Sequence, residues 1–446
     1  MRTTNFILGN FMLYGKETKK ALVNFPISGI TMPKDFIQTL AIIKKACASA
    51  NQETGKLNSK LAKAIKGAAN DVICGHHDDQ FVVDVFQTGS GTSTNMNMNE
   101  VLSELCNVKY GETVHPNDHV NMSQSSNDVI PSAIHVSVYL ALKNKLIPSL
   151  RLLSNALNER SISQNNTLKT GRTHLMDALP MTMGQEISAW HKQIVNSIER
   201  IETSYPRLSQ LAIGGSAIGT GLNSSAKFAS IVCNELSKTT DIEFTPNDNF
   251  FEAISCQDTA VEVSGHLKTL ATSLMKISND LRWQNSGPLA GLAEITLPEL
   301  QAGSSIMPGK VNPVIPEAVC MACAQVLGND VTITIAGQGG NFQLNTYLPL
   351  IAHNLLQSVE ILANSAKLLT TKVVLTFEVN QKELEAKLAY NPMLVTSLNS
   401  VIGYEKAAAV AKHAYASKRP IIDVAKEMTD IDHQELAKLL DPKNLV

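Results

Sequence analysis

The chain has 446 residues, a formal net charge of −2, 44% apolar residues and 5% aromatic residues. That length exceeds one compact core and implies two or three domains or a large oligomeric scaffold. The near-neutral charge and few aromatics exclude a nucleic-acid or anionic-membrane binder, and charges interrupt each apolar run before the roughly 20 residues a bilayer span needs.

The N-terminal stretch "MRTTNFILGNFMLYGKE" carries one arginine and a short apolar run without a small-residue cleavage site, a poor secretory signal; a mitochondrial leader stays open. Short helices and polar loops fill residues 1–124, including a candidate strand "FVVDVF" (81–86) and the Asn/Ser-rich runs 88–100 and 115–128. From Ile130 the apolar positions Ile134, Val138, Leu142, Leu146, Leu150, Leu153 and Leu157 follow in steps of three or four. That stripe predicts one helix of about eight turns, kinked near Pro148. Similar periodicity recurs over about 182–205, 253–283 and 313–369, with a second candidate strand at "KVVLTF" (372–377) and a smaller, more charged tail. The fold class is mainly α. Composition divides the chain into a helical N-terminal domain with loops (1–124), a central long-helix domain (125–381) and a small C-terminal helical domain (382–446).

The seven cysteines are scattered and odd in number, as suits free thiols in a reducing, cytoplasmic setting. Cys320-x-x-Cys323 has metal or redox spacing, but it lies within an apolar helical pattern that reads as core. "IGGSAIGTGLN" (213–223) neither follows a strand nor opens a βαβ unit, so its glycines read as turns rather than a dinucleotide loop. The adjacent His76 and His77, flanked by Asp78 and Asp79, suit an exposed turn.

Four polar, turn-rich segments remain: 88–100, 115–128, 170–177 ("TGRTHLMD") and 301–313 ("QAGSSIMPGKVNP"). Each offers hydroxyls, amides and backbone N–H groups, with cations limited to Arg172, Lys310 and histidines. Singly, each is ordinary solvated surface. Together they suit a small dicarboxylate, which takes many directed donors and one or two fixed positive charges.

"GSSIMPGKVNP" is similar to the signature of the fumarase/aspartase superfamily, whose members eliminate a group β to a carboxylate. "QTGSGTSTNMNMNEV", "HPNDHVNMSQSSND", "GRTHLMDALPMTMGQE", "GGSAIGTGLN", "GNFQLNTYLPLIAHNLLQS" and "LNSVIGYEKAAAVAKHA" resemble class II fumarase segments in the family's order. The resemblance implies a three-domain fold whose central long-helix bundle assembles into a tetramer core, with each active site shared by three chains. It implies reversible hydration of fumarate to (S)-malate, a tricarboxylic acid cycle step, by anti addition through an aci-carboxylate, without a metal or cofactor. Aspartate ammonia-lyase chemistry on the same loop is the alternative.

By the same resemblance Ser304 is the base, with Ser305 the neighbouring candidate. His174 is the acid/base on the opposite face, and Glu317 the carboxylate that orients it. Ser90, Gly91, Thr92, Ser125, Ser126, Asn127, Thr173, Lys310, Val311 and Asn312 bind the substrate. His115, Pro116, Asn117 and Asp118 resemble a second, peripheral dicarboxylate site. A serine hydroxyl acts as a base at neutral pH only if the loop's N–H groups and Lys310 stabilise its alkoxide. Lys20, Met122, Leu289 and Gln343 depart from the family's usual residues, as does the stretch before Tyr14.

Overall fold

The structure, a computed structural model, describes residues 12–446. Residues 1–11, most of the segment weighed above as a leader, lie outside the described residues. Helices dominate, as the periodicity predicts. Lys34–Glu53, Thr92–Tyr110, Met183–Glu202, Asp258–Gln284, Val314–Gly337 and Leu348–Leu369 each run 19 to 27 residues.

The stripe that starts at Ile130 forms Ser126–Ala141 and Ile147–Ser163, joined without a break by a π turn over Leu142–Leu146. Pro148 lies just beyond it. A proline has no N–H to give the carbonyl four residues back, and its ring crowds that carbonyl. The wider turn, with the Ile147 N–H on the Leu142 carbonyl, takes up the misfit expected as a kink.

The described residues divide into two compact units. One comprises residues 12–148, 199–271 and 324–363. Its Lys34–Glu53 helix packs on Ser59–Ile73, Ser126–Ala141 and Phe228–Thr240. Phe36, Leu40, Ile43, Ile65, Leu102, Ile130 and Ile134 are buried there, each contributing about 1.5–3 kcal/mol of transfer free energy. Polar cross-links accompany the apolar packing. Asp330 accepts from Ser264 Oγ (2.8 Å) and Lys268 Nζ (2.7 Å), while Asn329 Nδ2 donates to Ser358 Oγ and Gln357 Oε1 at 3.0 Å.

The other unit comprises residues 149–198, 272–323 and 364–446. Its tail has a local core built from Leu388, Leu394, Leu398, Val410, Ile421, Val424 and Leu436. Trp190 is fully buried and its indole N–H reaches Asp280 Oδ2 at 3.1 Å. A hairpin of β1 (Leu168–Thr173) and β2 (Met176–Thr182) is the one pairing among the described strands longer than two residues.

Three local features differ from the sequence reading. "FVVDVF" forms only an isolated bridge between Thr31 and Asp84. The Asp84 carboxylate takes the Ser28, Gly29 and Phe86 N–H groups, so side-chain bonds replace a strand ladder. "KVVLTF" continues the preceding helix as a π turn over Thr370–Val374. Burial at Leu369, Thr370, Val373, Val374 and Phe377 follows helical spacing rather than alternation. The hairpin was hidden because Lys169, Thr170 and Gly171 are buried in succession, two of them polar, so hydropathy does not alternate.

Lys169 Nζ donates to Glu186 Oε2 (2.5 Å) and Glu294 Oε2 (2.7 Å), and Arg172 pairs with the other oxygen of Glu294. Gln284 Nε2 adds a bond of 2.8 Å to Glu186. Arg172, a candidate anion-binding cation by sequence, is thus committed to an internal carboxylate. Lys169 and Glu294 are 0% and 2% exposed. Lys169→Met should therefore lower stability by about 3–5 kcal/mol, because a buried carboxylate loses its main partner. A urea-unfolding midpoint within experimental error of the parent would contradict that assignment.

Candidate active site

The loop between Thr296 and Val314 carries the serine pair. Ser304 Oγ accepts the backbone N–H groups of Ile306 (3.2 Å) and Met307 (3.1 Å). Donors aimed at an oxygen favour its anionic form, which a serine base requires. Ser304 is half-buried, whereas Ser305 is exposed, so the loop equips the first hydroxyl of the pair. Asn312 closes the loop. Its Nδ2 donates to the Gly303 carbonyl at 2.7 Å, and its Oδ1 accepts from Lys310 Nζ at 2.8 Å. Gly303 is obligatory here because a Cβ would overlap the Lys310 carbonyl. Gly309 supplies the left-handed turn, φ +80°, that brings Lys310 back.

Glu317 stands in the first turn of Val314–Gly337. With Lys310, Val311 and Asn312 it lines a cleft of about 940 Å³, which also takes in Asn285 and Arg282. The sequence reading missed Arg282, whose only signal was a cation in the last turn of a helix just before "SGP". Arg282 Nη1 donates to Asn279 Oδ1 at 2.9 Å, and half-buried Cys320 approaches the same oxygen. Of the thiol pair read as core, Cys323 alone is fully buried, and burial pushes its thiol up to about 12. Leu289, one of the departures, is 97% exposed on the loop beside this cleft.

Thr173 and His174 lie at the hairpin tip, both exposed. His174 and Leu175 are the two residues between the paired Thr173 and Met176, with φ of +55° and +61°. Two-residue hairpin turns demand this conformation and ordinarily use Asn or Gly for it. A histidine and a leucine there cost of order 1–2 kcal/mol each. The segment expected as a loop is therefore a tightly constrained turn presenting an imidazole. The histidines in ion pairs among the described residues are His76, His115 and His266, so within one chain His174 and Glu317 are not paired.

In the first unit, two helix N-termini stand side by side. Gly91, φ +73°, precedes Thr92–Tyr110, and a Cβ on it would press on Ile130. Ser90 Oγ and Thr92 Oγ1 are 2.7 Å apart. Ser125 caps Ser126–Ala141 in a reciprocal box with Asp128. Asp128 Oδ2 also accepts from Gly214 N (3.0 Å) and Ser216 N (2.9 Å), and Asn127 Nδ2 donates to the Ala217 carbonyl at 2.8 Å. Burial pushes the Asp128 carboxyl up to about 6, opposed by the N–H groups of Ser125, Ser216 and Gly214. Helix N-termini with free N–H groups and hydroxyls receive carboxylates well.

His115, Pro116, Asn117 and Asp118 open a π turn over Pro116–Val120 that packs on the Thr92–Tyr110 helix, with His115, Asn117 and Asp118 exposed. His115 Nδ1 accepts the Asp118 N–H at 3.1 Å and lies as close to the Asp118 carboxylate. That carboxylate lowers the turn's appeal to a dianion.

The chain matches two family models, one described as "Lyase" over residues 11–328 and one as "Fumarase C C-terminus" over residues 394–446. It is 52% identical over 433 residues to a fumarate hydratase class II of Xylella fastidiosa, covering 97% of this chain and 92% of that protein. A fumarate hydratase class II of Mycobacterium tuberculosis is 49% identical over 410 residues, covering 92% and 86%. Among solved structures, a class II fumarase from Schistosoma mansoni superposes with a TM-score of 0.94 at 38% identity, covering 98% and 96%.

Gly303→Ala tests the loop closure. It should cut turnover at least about a hundredfold, the scale on which small displacements of a reacting group act. Far-UV circular dichroism should stay unchanged, since the clash is confined to the loop. Full turnover in this variant would mean that the closed loop is dispensable.

Proposed function

The chain belongs to the lyase family that includes the class II fumarate hydratases, and on that premise we propose that it hydrates fumarate reversibly to (S)-malate. The observation that carries this reading is Ser304 Oγ, held under two N–H donors in a loop closed by Asn312 and Lys310. In the dehydration direction, Ser304 removes the proton from the carbon next to a carboxylate. The electron pair moves onto that carboxylate as an aci-carboxylate, which Lys310 and Asn312 stabilise. The C–O bond then breaks, and His174, charged and oriented by Glu317, protonates the departing hydroxide through a water. Acid and base on opposite faces give anti stereochemistry. Ser90, Gly91, Thr92, Ser125, Ser126, Asn127 and Thr173 hold the dicarboxylate, with Ser305 and Val311 completing the loop's contacts.

We infer that the enzyme is a homotetramer whose sites each draw on three chains. His174 and Glu317 are not paired in one chain, which agrees with their meeting between copies. Val314–Gly337 is long and apolar enough by composition to cross a membrane, a property the sequence reading passed over, yet only 33% of its most apolar window is buried. Met321, Val331 and Ile335 are exposed, and with Ala324 and Gly328 they mark steps of three and four along one face. Such a seam suits packing on the same helix of other copies.

Loss of fumarate absorbance in water alone is expected; activity that appears only when ammonium is added would overturn the hydratase reading. Ser304→Ala should lower kcat by roughly a thousandfold while succinate still binds. Mixing Ser304→Ala chains with His174→Asn chains tests the shared site. Sites built across chains regain roughly a quarter of parental activity on random assembly. No recovery in confirmed mixed assemblies would place both residues in one chain's site.

A further inference from the structure

Lys44 lies midway along Lys34–Glu53 and is 0% exposed. Its ammonium donates to two side-chain amides, Asn121 Oδ1 at 3.0 Å and Gln124 Oε1 at 2.9 Å. A buried cation needs a compensating role, because desolvating it costs several kcal/mol. Burial pulls it down to about 8, with Cys47 on its own helix and Asp128 on Ser126–Ala141 facing it.

The surrounding amides are oriented to suit the lysine. Gln124 Nε2 is occupied by the Val120 and Met122 carbonyls, which leaves its oxygen for the lysine. Asn121 Oδ1, turned towards the lysine, also accepts from Asn95 Nδ2 (3.1 Å) and Asn99 Nδ2 (3.3 Å). Asn95 Nδ2 then donates to Ser126 Oγ at 3.1 Å. The orientation leaves Asn95 Oδ1 and Asn99 Oδ1 buried without a partner. An orphaned carbonyl costs about 1–3 kcal/mol, so a stronger term must hold these amides with their nitrogens inward. An ammonium can only donate, and it supplies that term.

We propose that Lys44 is a positioning residue that sets Ser126 as a hydrogen-bond donor to the substrate carboxylate. With Ser126 Oγ already accepting from Asn95, its own hydrogen is left to point at an anion. Lys44 fixes the Asn121 oxygen, that oxygen draws in the Asn95 amide nitrogen, and the same nitrogen donates to Ser126, so the lysine acts through amide orientation and touches no reacting atom. This inference rests on the reading of Ser125–Asn127 as a carboxylate anchor.

A double-mutant cycle on the assembled protein, with succinate binding measured by calorimetry, tests it. Ser126→Ala and Lys44→Met should each weaken succinate roughly tenfold, the scale of one hydrogen bond to a charged group. The double variant should also lose roughly tenfold, because both changes remove the same donor. In Lys44→Met the KM for fumarate should rise in step while kcat holds within about twofold. Additive losses, approaching a hundredfold, would overturn the relay and leave the anchor standing. Unchanged affinity in Ser126→Ala would overturn the anchor and the relay with it. Should Lys44→Met fail to fold, Asn95→Ala cuts the last link with the lysine still seated. The same tenfold loss is expected, with no further loss in the Ser126→Ala background; additivity there would overturn the proposal as well.

Discussion

One buried carboxylate, that of Glu294, organises the second unit. Its side chain holds Lys169 and Arg172 along the first strand of the hairpin whose tip is His174. Its backbone N–H bonds the Gln284 carbonyl at 2.8 Å, and its carbonyl accepts the Asn380 N–H at 2.9 Å. Its neighbours Ala293 and Ile295 line the cleft that holds Lys310 and Glu317. A single residue thus fixes the end of a long helix, the wall of the cleft and the root of the turn presenting the imidazole. The pair survives desolvation because both carboxylate oxygens have cationic partners.

The candidate site relies on directed dipoles more than on charge. Arg172 is spent internally, and Lys310 is shared with Asn312. The first unit offers two helix N-termini with their hydroxyls and amides; the second offers a glycine-bounded loop that turns N–H groups onto one oxygen, with Arg282 in the neighbouring cleft. Such donors are held by the fold before any substrate arrives, so they need little reorganisation when charge develops. This also explains why the chain needs no basic surplus to bind a dianion.

The long helices were legible because an apolar stripe with a 3.6-residue period has few alternative folds. The hairpin was not, because Lys169 occupies a buried strand position that hydropathy scores as surface. "KVVLTF" misled in the opposite sense: a short apolar run fits strand and helix equally, and its place at the end of Leu348–Leu369 decided the outcome. The serine loop and its first hydroxyl, Ser304, were readable from the motif; the Ile306 and Met307 N–H groups that reach that hydroxyl depend on the loop's fold and were not. Arg282 escaped notice because proximity to the loop depends on tertiary packing.

The π turn at Leu142–Leu146 bears on how pitch is written into a sequence. From Ile130 to Leu157 the buried positions advance 27 residues in seven turns, mostly by fours, and all are at most 1% exposed. At about 100° per residue a regular α-helix would leave Leu157 about 180° from Ile130, facing away from the core. Absorbing one residue in the wider turn reduces that angle to about 80°, within the width of an apolar face. The repeated spacing of four is therefore the signature of a locally slower winding. Removing one residue there would restore regular bonding and leave Leu150, Leu153 and Leu157 in phase with the first half of the stripe, because a regular helix of about 26 residues reaches the same angle.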